Sequence, residues 1–350
     1  MPASTTSIAE PQRILIVRLS AIGDVVHTMP IACALRSRFP KARIAWVVGD
    51  TAAGLLEGHG AIDQLIVLRS GWLKSFSQVR ELRRRLRAER FDLVIEAQGL
   101  TKSAIVGWLS GAKRRIGFGH PWGRELSRWL NTETVDNGTP HAVDRNLELL
   151  QPVGIKSPRV RFDVPENSEA NQAIDDLVGE MQVSAGFAII NSGAGWPSKL
   201  WPTERYSAVA VHLGKTWGLP TLVVAGGETE RIAARKIVDQ SFGHARLVPP
   251  ITLPQLAALA RRATLFIGSD TGPLHLAAAV ATPCVGLYGP WPAERHGPYG
   301  NQHVALQERS FEGTTRQRRN ASPDLMNAIY VDLVCSTCDR ILDRDNREAA

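Results

Sequence analysis

Two short segments, one near each end of the chain, share a build that few folds accommodate. Near the start, the apolar run Ile14-Leu15-Ile16-Val17 opens into Arg18-Leu19-Ser20-Ala21-Ile22-Gly23-Asp24. Late in the chain, Leu265-Phe266-Ile267-Gly268 opens into Ser269-Asp270-Thr271-Gly272-Pro273-Leu274-His275. Each reads as a buried strand, a small polar turn carrying an aspartate, and the start of a helix. In α/β proteins that step is where ligands meet the backbone N–H groups of a helix N-terminus. Two such steps in two halves predict a cleft, with one ligand held by each half.

The residues between them repeat the alternation. Strand patterns near 14–18, 43–48, 64–68 and 91–95 are separated by helical patterns near 24–38, 51–57 and 77–89, and a helix at 142–151 closes the series. A second series has strands near 187–191, 221–225, 264–268 and 284–288, with helices near 203–216, 228–240 and 253–261. Strands alternating with helices predict parallel sheets covered on both faces. A chain of 350 residues exceeds one typical core. The α/β reading is therefore two facing Rossmann-like domains, 1–155 and 186–321, joined by a linker region at 156–185. Ser322-Pro323 is a good helix start. The C-terminal helix behind it, 322–343, is apolar around much of its girth and is expected to pack across both domains. Residues 307–321 are polar and Arg-rich and read as a loop.

An apolar fraction of 44% with 21% charged residues is that of a soluble globular protein. The net charge of +7 favours anionic partners. Met1–Glu10 lacks the charged and apolar regions of a signal peptide, and no apolar run is long enough to span a bilayer. Cys33 and Cys284 read as buried thiols. Cys335 and Cys338 form a lone CxxC without two further ligands, so core packing in a reducing cytoplasm is the expectation. No carboxylate or histidine cluster has metal-ligand spacing, and no obligatory metal is expected.

Four constellations carry candidate chemistry, each with a bland counterpart. Asp24 stands above a strand end and can take a proton from a hydroxyl; it can equally be a helix cap. Asp270 or Thr271 can cap the helix at Gly272-Pro273, which leaves free amides for a diphosphate, with His275 one turn in. The loop Asn191-Ser192-Gly193-Ala194-Gly195-Trp196-Pro197-Ser198-Lys199 lacks Walker spacing, yet Gly195, Ser198 and Lys199 can meet phosphate. Glu228, after a strand and Gly226-Gly227, suits ribose hydroxyls or the helix dipole. The helix Arg80-Glu81-Leu82-Arg83-Arg84-Arg85-Leu86-Arg87 is a solvated face or a contact for anionic lipid. No groove-reading motif accompanies it, which argues against nucleic acid.

Taken together, these segments resemble the ADP-heptose:lipopolysaccharide heptosyltransferases, and within them the heptosyltransferase I branch. The resemblance runs from about Arg13 to Gly300. It includes Gly23-Asp24-Val25-Val26-His27-Thr28-Met29-Pro30, Phe91-Asp92-Leu93-Val94-Ile95-Glu96-Ala97-Gln98-Gly99-Leu100-Thr101-Lys102 and Gly123-Arg124-Glu125. It continues through His141-Ala142-Val143-Asp144-Arg145, Lys199-Leu200-Trp201-Pro202, Gly227-Glu228, Asp270-Thr271-Gly272 with His275, and Leu287-Tyr288-Gly289-Pro290. What it implies is a GT-B fold and an inverting transfer of heptose from an ADP-sugar to an acidic lipid-linked sugar, Kdo of the lipopolysaccharide inner core. The enzyme would be cytoplasmic and peripheral on the inner leaflet. By the same likeness Asp24 is the general base, Lys199 a phosphate ligand and Glu228 a nucleotide ligand. Asp270 holds the sugar, Thr271, Gly272 and His275 the diphosphate, and Ile251 the adenine, while Lys102 and Arg124 lie on the acceptor side. The 192–198 loop lacks the paired hydroxyls of some members, so contacts there fall to the backbone and Ser198, and Glu308–Asn320 departs from the family's usual segment. Other readings are a GT-B transferase of another sugar, a GT-B epimerase, and a non-catalytic nucleotide-sugar binding protein; the presence of Asp24 argues against the last.

Overall fold

The structure is a computed structural model and describes residues 10–183 and 186–349, with side chains to residue 344. The reading of Met1–Glu10 as no signal peptide falls almost wholly outside the described residues. The chain divides into two compact units, 1–139 with 143–163, and 140–142 with 164–350.

The first unit holds a six-stranded parallel sheet: β1 (Arg13–Val17), β2 (Arg43–Gly49), β3 (Gln64–Leu68), β4 (Leu93–Glu96), β5 (Arg114–Phe118) and β6 (Glu133–Val135), in the order β3-β2-β1-β4-β5-β6. The second unit repeats the design with β7 (Ala188–Asn191), β8 (Thr221–Val224), β9 (Ala245–Leu247), β10 (Leu265–Ser269), β11 (Cys284–Leu287) and β12 (Val304–Leu306), in the order β12-β11-β10-β7-β8-β9. Counted from the first strand of each sheet, the two orders are the same doubly wound order. Each sheet therefore has one place where successive connections leave in opposite directions: between β1 and β4, and between β7 and β10. Ligands of such sheets bind there, beyond the carboxyl ends of the strands.

The central strands are sealed on both faces. Leu15, Val17, Ala45, Val47, Val94 and Val106 belong to the core of the first unit. Ile190, Val223, Ile267 and Val285 lie in the core of the second. A doubly covered parallel sheet needs such runs of branched apolar residues.

Several elements differ from the sequence reading. The helix expected over 24–38 is two, Ile22–Val26 and Met29–Arg38, because Pro30 lies in the first turn of the second and cannot continue the first. The linker region includes a 13-residue helix, Ser168–Glu180, capped by Asn167 and packed on the helix Leu253–Arg262. After residue 163 the chain passes from the first unit to the second, a point inside the 156–185 linker region. The expected 322–343 helix is a single turn, Asp324–Asn327, followed by Val331–Ala349, which packs on the helix Thr203–Trp217 and β11. The loop at 307–321 carries a short helix, Thr315–Arg319, closed by a Thr314–Gln317 capping box. All four cysteines are buried free thiols, and Cys335 and Cys338 sit in the second core.

Candidate active site

In the second unit the turns after β7 and β10 meet at the switch point. Asp270 ends up buried, and its carboxylate caps nothing. It accepts from Lys199 Nζ at 2.5 Å on Oδ2 and faces His275 Nε2 at 3.0 Å on Oδ1. Lys199 also donates to the Asp270 carbonyl at 3.0 Å and lies 4.3 Å from the Trp291 ring centroid. Burial by itself would raise the Asp270 pKa. The Lys199 ammonium, the His275 hydrogen bond and the charge of His296 outweigh it and hold the carboxyl well below the usual carboxylate range.

Thr271 occupies the N-cap position of the helix Gly272–Ala279, without a side-chain cap. Its hydroxyl instead accepts from Asn191 Nδ2 at 3.0 Å, which ties the end of β7 to the turn after β10. The first amides of the helix are thereby left to an external acceptor. Beside them the 3-10 turn Pro197–Lys199 presents Ser198, and Ser192 begins the same loop. Both hydroxyls are buried, and neither has a hydrogen-bond partner among the described residues. Buried hydroxyls in that condition are costly unless something fills the site. Lys199 has three ammonium hydrogens, and two bonds go to Asp270. The arrangement has the makings of an anion cradle: helix amides, two hydroxyls and a cation held in place by a carboxylate.

The remaining residues of this group lie along the same strand-end edge but apart from that cluster. Glu228 starts the helix Glu228–Asp239, is exposed, and pairs only loosely with Arg235 at 3.5 Å. Ile251 is half-buried in the loop after β9, and Gly195 is exposed. Glu230, not Glu228, reaches back across the loops: its Oε2 accepts from Gly226 N at 2.7 Å, and a Cβ on Gly193 would come within 2.2 Å of its carboxylate carbon.

In the first unit the turns after β1 and β4 meet in the same way. Asp24 Oδ1 pairs with Arg18 Nη2 at 2.7 Å, and Oδ2 accepts from Ala21 N at 3.2 Å. The capping reading is thus part of the truth, and a half-exposed carboxylate with a fixed orientation is the rest. Arg18 is itself anchored to the Ala97 carbonyl, and Gln98 accepts from Leu19 N at 2.8 Å. The buried Glu96 accepts from the amides of Gln98 and Gly99, each at 2.9 Å, and burial raises its pKa against those bonds. Gly99 has φ +70°, and a Cβ there would meet the Trp122 carbonyl at 2.4 Å. Arg124 N donates to the Gly99 carbonyl, Thr101 N to Glu125, and Leu126 N to Thr101 Oγ1. These bonds bring the segments carrying Lys102 and Arg124 together. Lys102 also lines a cleft of about 300 Å³ with Ser20, Asp50, Arg69 and Lys74.

Sequence reasoning singled out the segments that carry Asn191, Ser192 and Arg18 but gave those residues no role of their own, and it missed Trp291 and Glu230 in the second unit and Arg69 and Lys74 in the first. Arg18, directly after a buried strand, had a signal; Trp291 had none. Among the described residues no group of three His, Cys, Asp or Glu side chains is placed to hold a metal ion, and no helix is long and apolar enough to cross a membrane.

Comparison with known proteins follows the same lines. The model of glycosyltransferase family 9 (heptosyltransferase) matches residues 79–325. Lipopolysaccharide heptosyltransferase 1 of Salmonella typhimurium is 28% identical over 84% of this chain and 93% of its own. The lipopolysaccharide core heptosyltransferase OpsX of Haemophilus influenzae is 26% identical over 83% of each chain. A family 9 glycosyl transferase from Veillonella parvula superposes with a TM-score of 0.84 at 24% identity, over 95% of this chain and 98% of that one. An E. coli heptosyltransferase solved with ADP gives 0.76 at 23% identity, over 94% and 99%.

Proposed function

Because the chain belongs to glycosyltransferase family 9, the heptosyltransferases, we propose that it moves a heptose from ADP-heptose to an acidic, lipid-linked sugar, Kdo of the lipopolysaccharide inner core. That it is a glycosyltransferase of GT-B fold in lipopolysaccharide core biosynthesis follows from the family. The donor, the acceptor, the membrane location and the residue roles are the proposal.

The observation that carries it is the cluster of Lys199, Asp270, His275 and the open helix start at Gly272. As the sugar leaves a nucleoside diphosphate, positive charge gathers on the ring and negative charge on the departing oxygens. The Gly272 amide, Ser198 and the third Lys199 hydrogen would take the negative charge, with Thr271 and Gly195 shaping the approach. Asp270, ionised through the whole physiological range, would face the sugar. Glu228 and Ile251, at the ends of the neighbouring strands, would hold ribose and adenine. On the acceptor side, Asp24 would take the proton of the attacking hydroxyl, with Arg18 fixing its orientation. Lys102, Arg124, Arg69 and Lys74 supply the cations an acidic sugar needs. Charge stabilisation by these groups calls for no obligatory metal.

The test is a donor screen, ADP-heptose against ADP- and UDP-hexoses with delipidated core acceptors, in wild type and Asp24→Ala. Transfer from ADP-heptose alone, reduced about two to four orders of magnitude in the variant with ADP affinity little changed, is the expected outcome. Turnover of donor without acceptor would point to an epimerase. Transfer of a hexose, or near-normal rates in Asp24→Ala, would overturn the donor assignment or the base, respectively.

A further inference from the structure

One face of the first unit displays aromatic and basic side chains, most of which the proposed chemistry does not use. Three helices lie side by side there: Phe76–Glu89, Thr101–Ser110 and Ser127–Leu130. The middle helix is buried nearly all round; Lys102, Ile105 and Trp108, spaced three apart, form its outward stripe. On the first helix, Phe76, Arg80, Arg83, Arg84 and Arg87 fall on one side at spacings of three and four. That side turns toward the middle helix, since the Arg87 guanidinium carbon lies 3.4 Å from where a Cβ of Gly111 would stand. Glu81, with Gln78 and Arg85, is on the other side, lining a separate groove. On the third element Leu126 and Trp129 project beside Arg124 and Arg128, and the Leu130 carbonyl is held by Arg115. The apolar members are far out of the protein: Trp108 52% exposed, Leu126 60%, Trp129 80% and Phe76 84%.

Single exposed apolar residues need no explanation, but a set of them rimmed by cations on adjoining elements does. Tryptophan settles at the boundary between water and acyl chains, and arginine beside it meets phosphate. Glu125, an acid beside these cations, accepts the Thr101 amide.

We propose that this face, Trp108, Leu126 and Trp129 with the Arg80–Arg84–Arg87 stripe, docks on a bilayer surface containing anionic phospholipid. The inference deepens the proposed peripheral membrane location. The stripe of the middle helix begins at Lys102, which lines the candidate acceptor cleft. Docking here brings that cleft beside the surface in which a lipid-linked acceptor is embedded.

The experiment is co-sedimentation of the full chain with vesicles of phosphatidylcholine alone and of phosphatidylcholine with equimolar phosphatidylglycerol, alongside tryptophan emission. Wild type is expected to bind the mixed vesicles, release on added salt, and show blue-shifted emission. Arg80→Gln/Arg84→Gln should weaken partitioning about 30-fold at low salt. Trp108→Ser/Trp129→Ser should lose the blue shift and most of the binding. Both pairs are solvent-facing, and circular dichroism and thermal melts matching wild type show that they fold. Equal binding to both vesicle types, or wild-type binding by both double variants, would overturn the inference. No sugar nucleotide enters the assay. Failure of heptose transfer with intact vesicle binding would therefore sink the functional reading alone, and the converse result this one alone.

Discussion

At the residue scale, Asp270 sets the electrostatics of the turn after β10, and its consequences for stability have a definite sign. Its folded pKa is depressed, so it stabilises the fold fully above the ordinary aspartate value of about 4. That contribution declines as the pH falls below this value toward the depressed one. Asp270→Asn leaves the partly buried Lys199 without its counter-charge, a loss of about 3 kcal/mol at neutral pH. Denaturant melts of both proteins from neutral to acid pH are expected to show the gap narrowing on acidification; a constant gap would mean that the pair is not what Asp270 contributes. Asp24, Asp270, Thr271 and Gly272 were legible in the sequence because a polar turn after an all-apolar strand has few structural reasons to exist. The partners were less so. Lys199 lies 71 positions from Asp270, and Trp291 reaches Lys199 only because β11 lies next to β10. No local pattern encodes such contacts.

At the element scale, the interior strands were legible because each is a run of branched apolar residues buried on both faces. Of the missed ones, β6, β9 and β12 are edge strands of three residues each, too few for any period, and β5, an interior strand, opens on the charged pair Arg114-Arg115. The helix Thr101–Ser110 was missed for a different reason: with only a narrow outward stripe, its amphipathic signal nearly vanishes. The turns at the strand ends of the second unit are also locked to one another by side chains. Glu230, from the helix after β8, lies against Gly193 in the loop after β7 while it accepts the Gly226 amide. Gly193→Ala would push that carboxylate away and open both loops. That side chain can swing aside, so the expected cost is about 0.5–1.5 kcal/mol, the worth of the Gly226–Glu230 hydrogen bond it gives up, with weaker ADP binding. Gly193→Ala/Glu230→Ser, which relieves the clash but also lacks the Gly226 acceptor, should be about as stable as Gly193→Ala. Calorimetry and thermal melts on the three proteins check this, and equal stability of wild type and Gly193→Ala would show that Glu230 is not held there.

At the scale of the whole molecule, the chain repeats one doubly wound unit and carries a net charge of +7. The repeat was legible from the two matched turns. The outward distribution of charge was not, because sequence does not say which arginines are tied down: Arg36 and Arg114 are paired with Asp63 and Glu133 inside the first unit. Arg69, Lys74 and Lys102 gather instead around one cleft, and Arg124 is fixed by its backbone to the turn that precedes Lys102. An acidic acceptor approaching that region gains from several cations at once, and exposed charges are screened beyond about 8 Å at physiological ionic strength. Raising salt should therefore raise the KM for a soluble, delipidated acidic acceptor and leave kcat nearly unchanged. Arg124→Ala should raise that KM at low salt and flatten its salt dependence. Arg124 donates to Gly99 through its backbone, which alanine keeps, so the fold is expected to survive the change. Kinetics across a salt series with wild type and variant decide it. An acceptor KM indifferent to both salt and Arg124 would mean that the acceptor is neutral at the point of contact, and the acidic-sugar assignment would give way to a transferase of a different acceptor class.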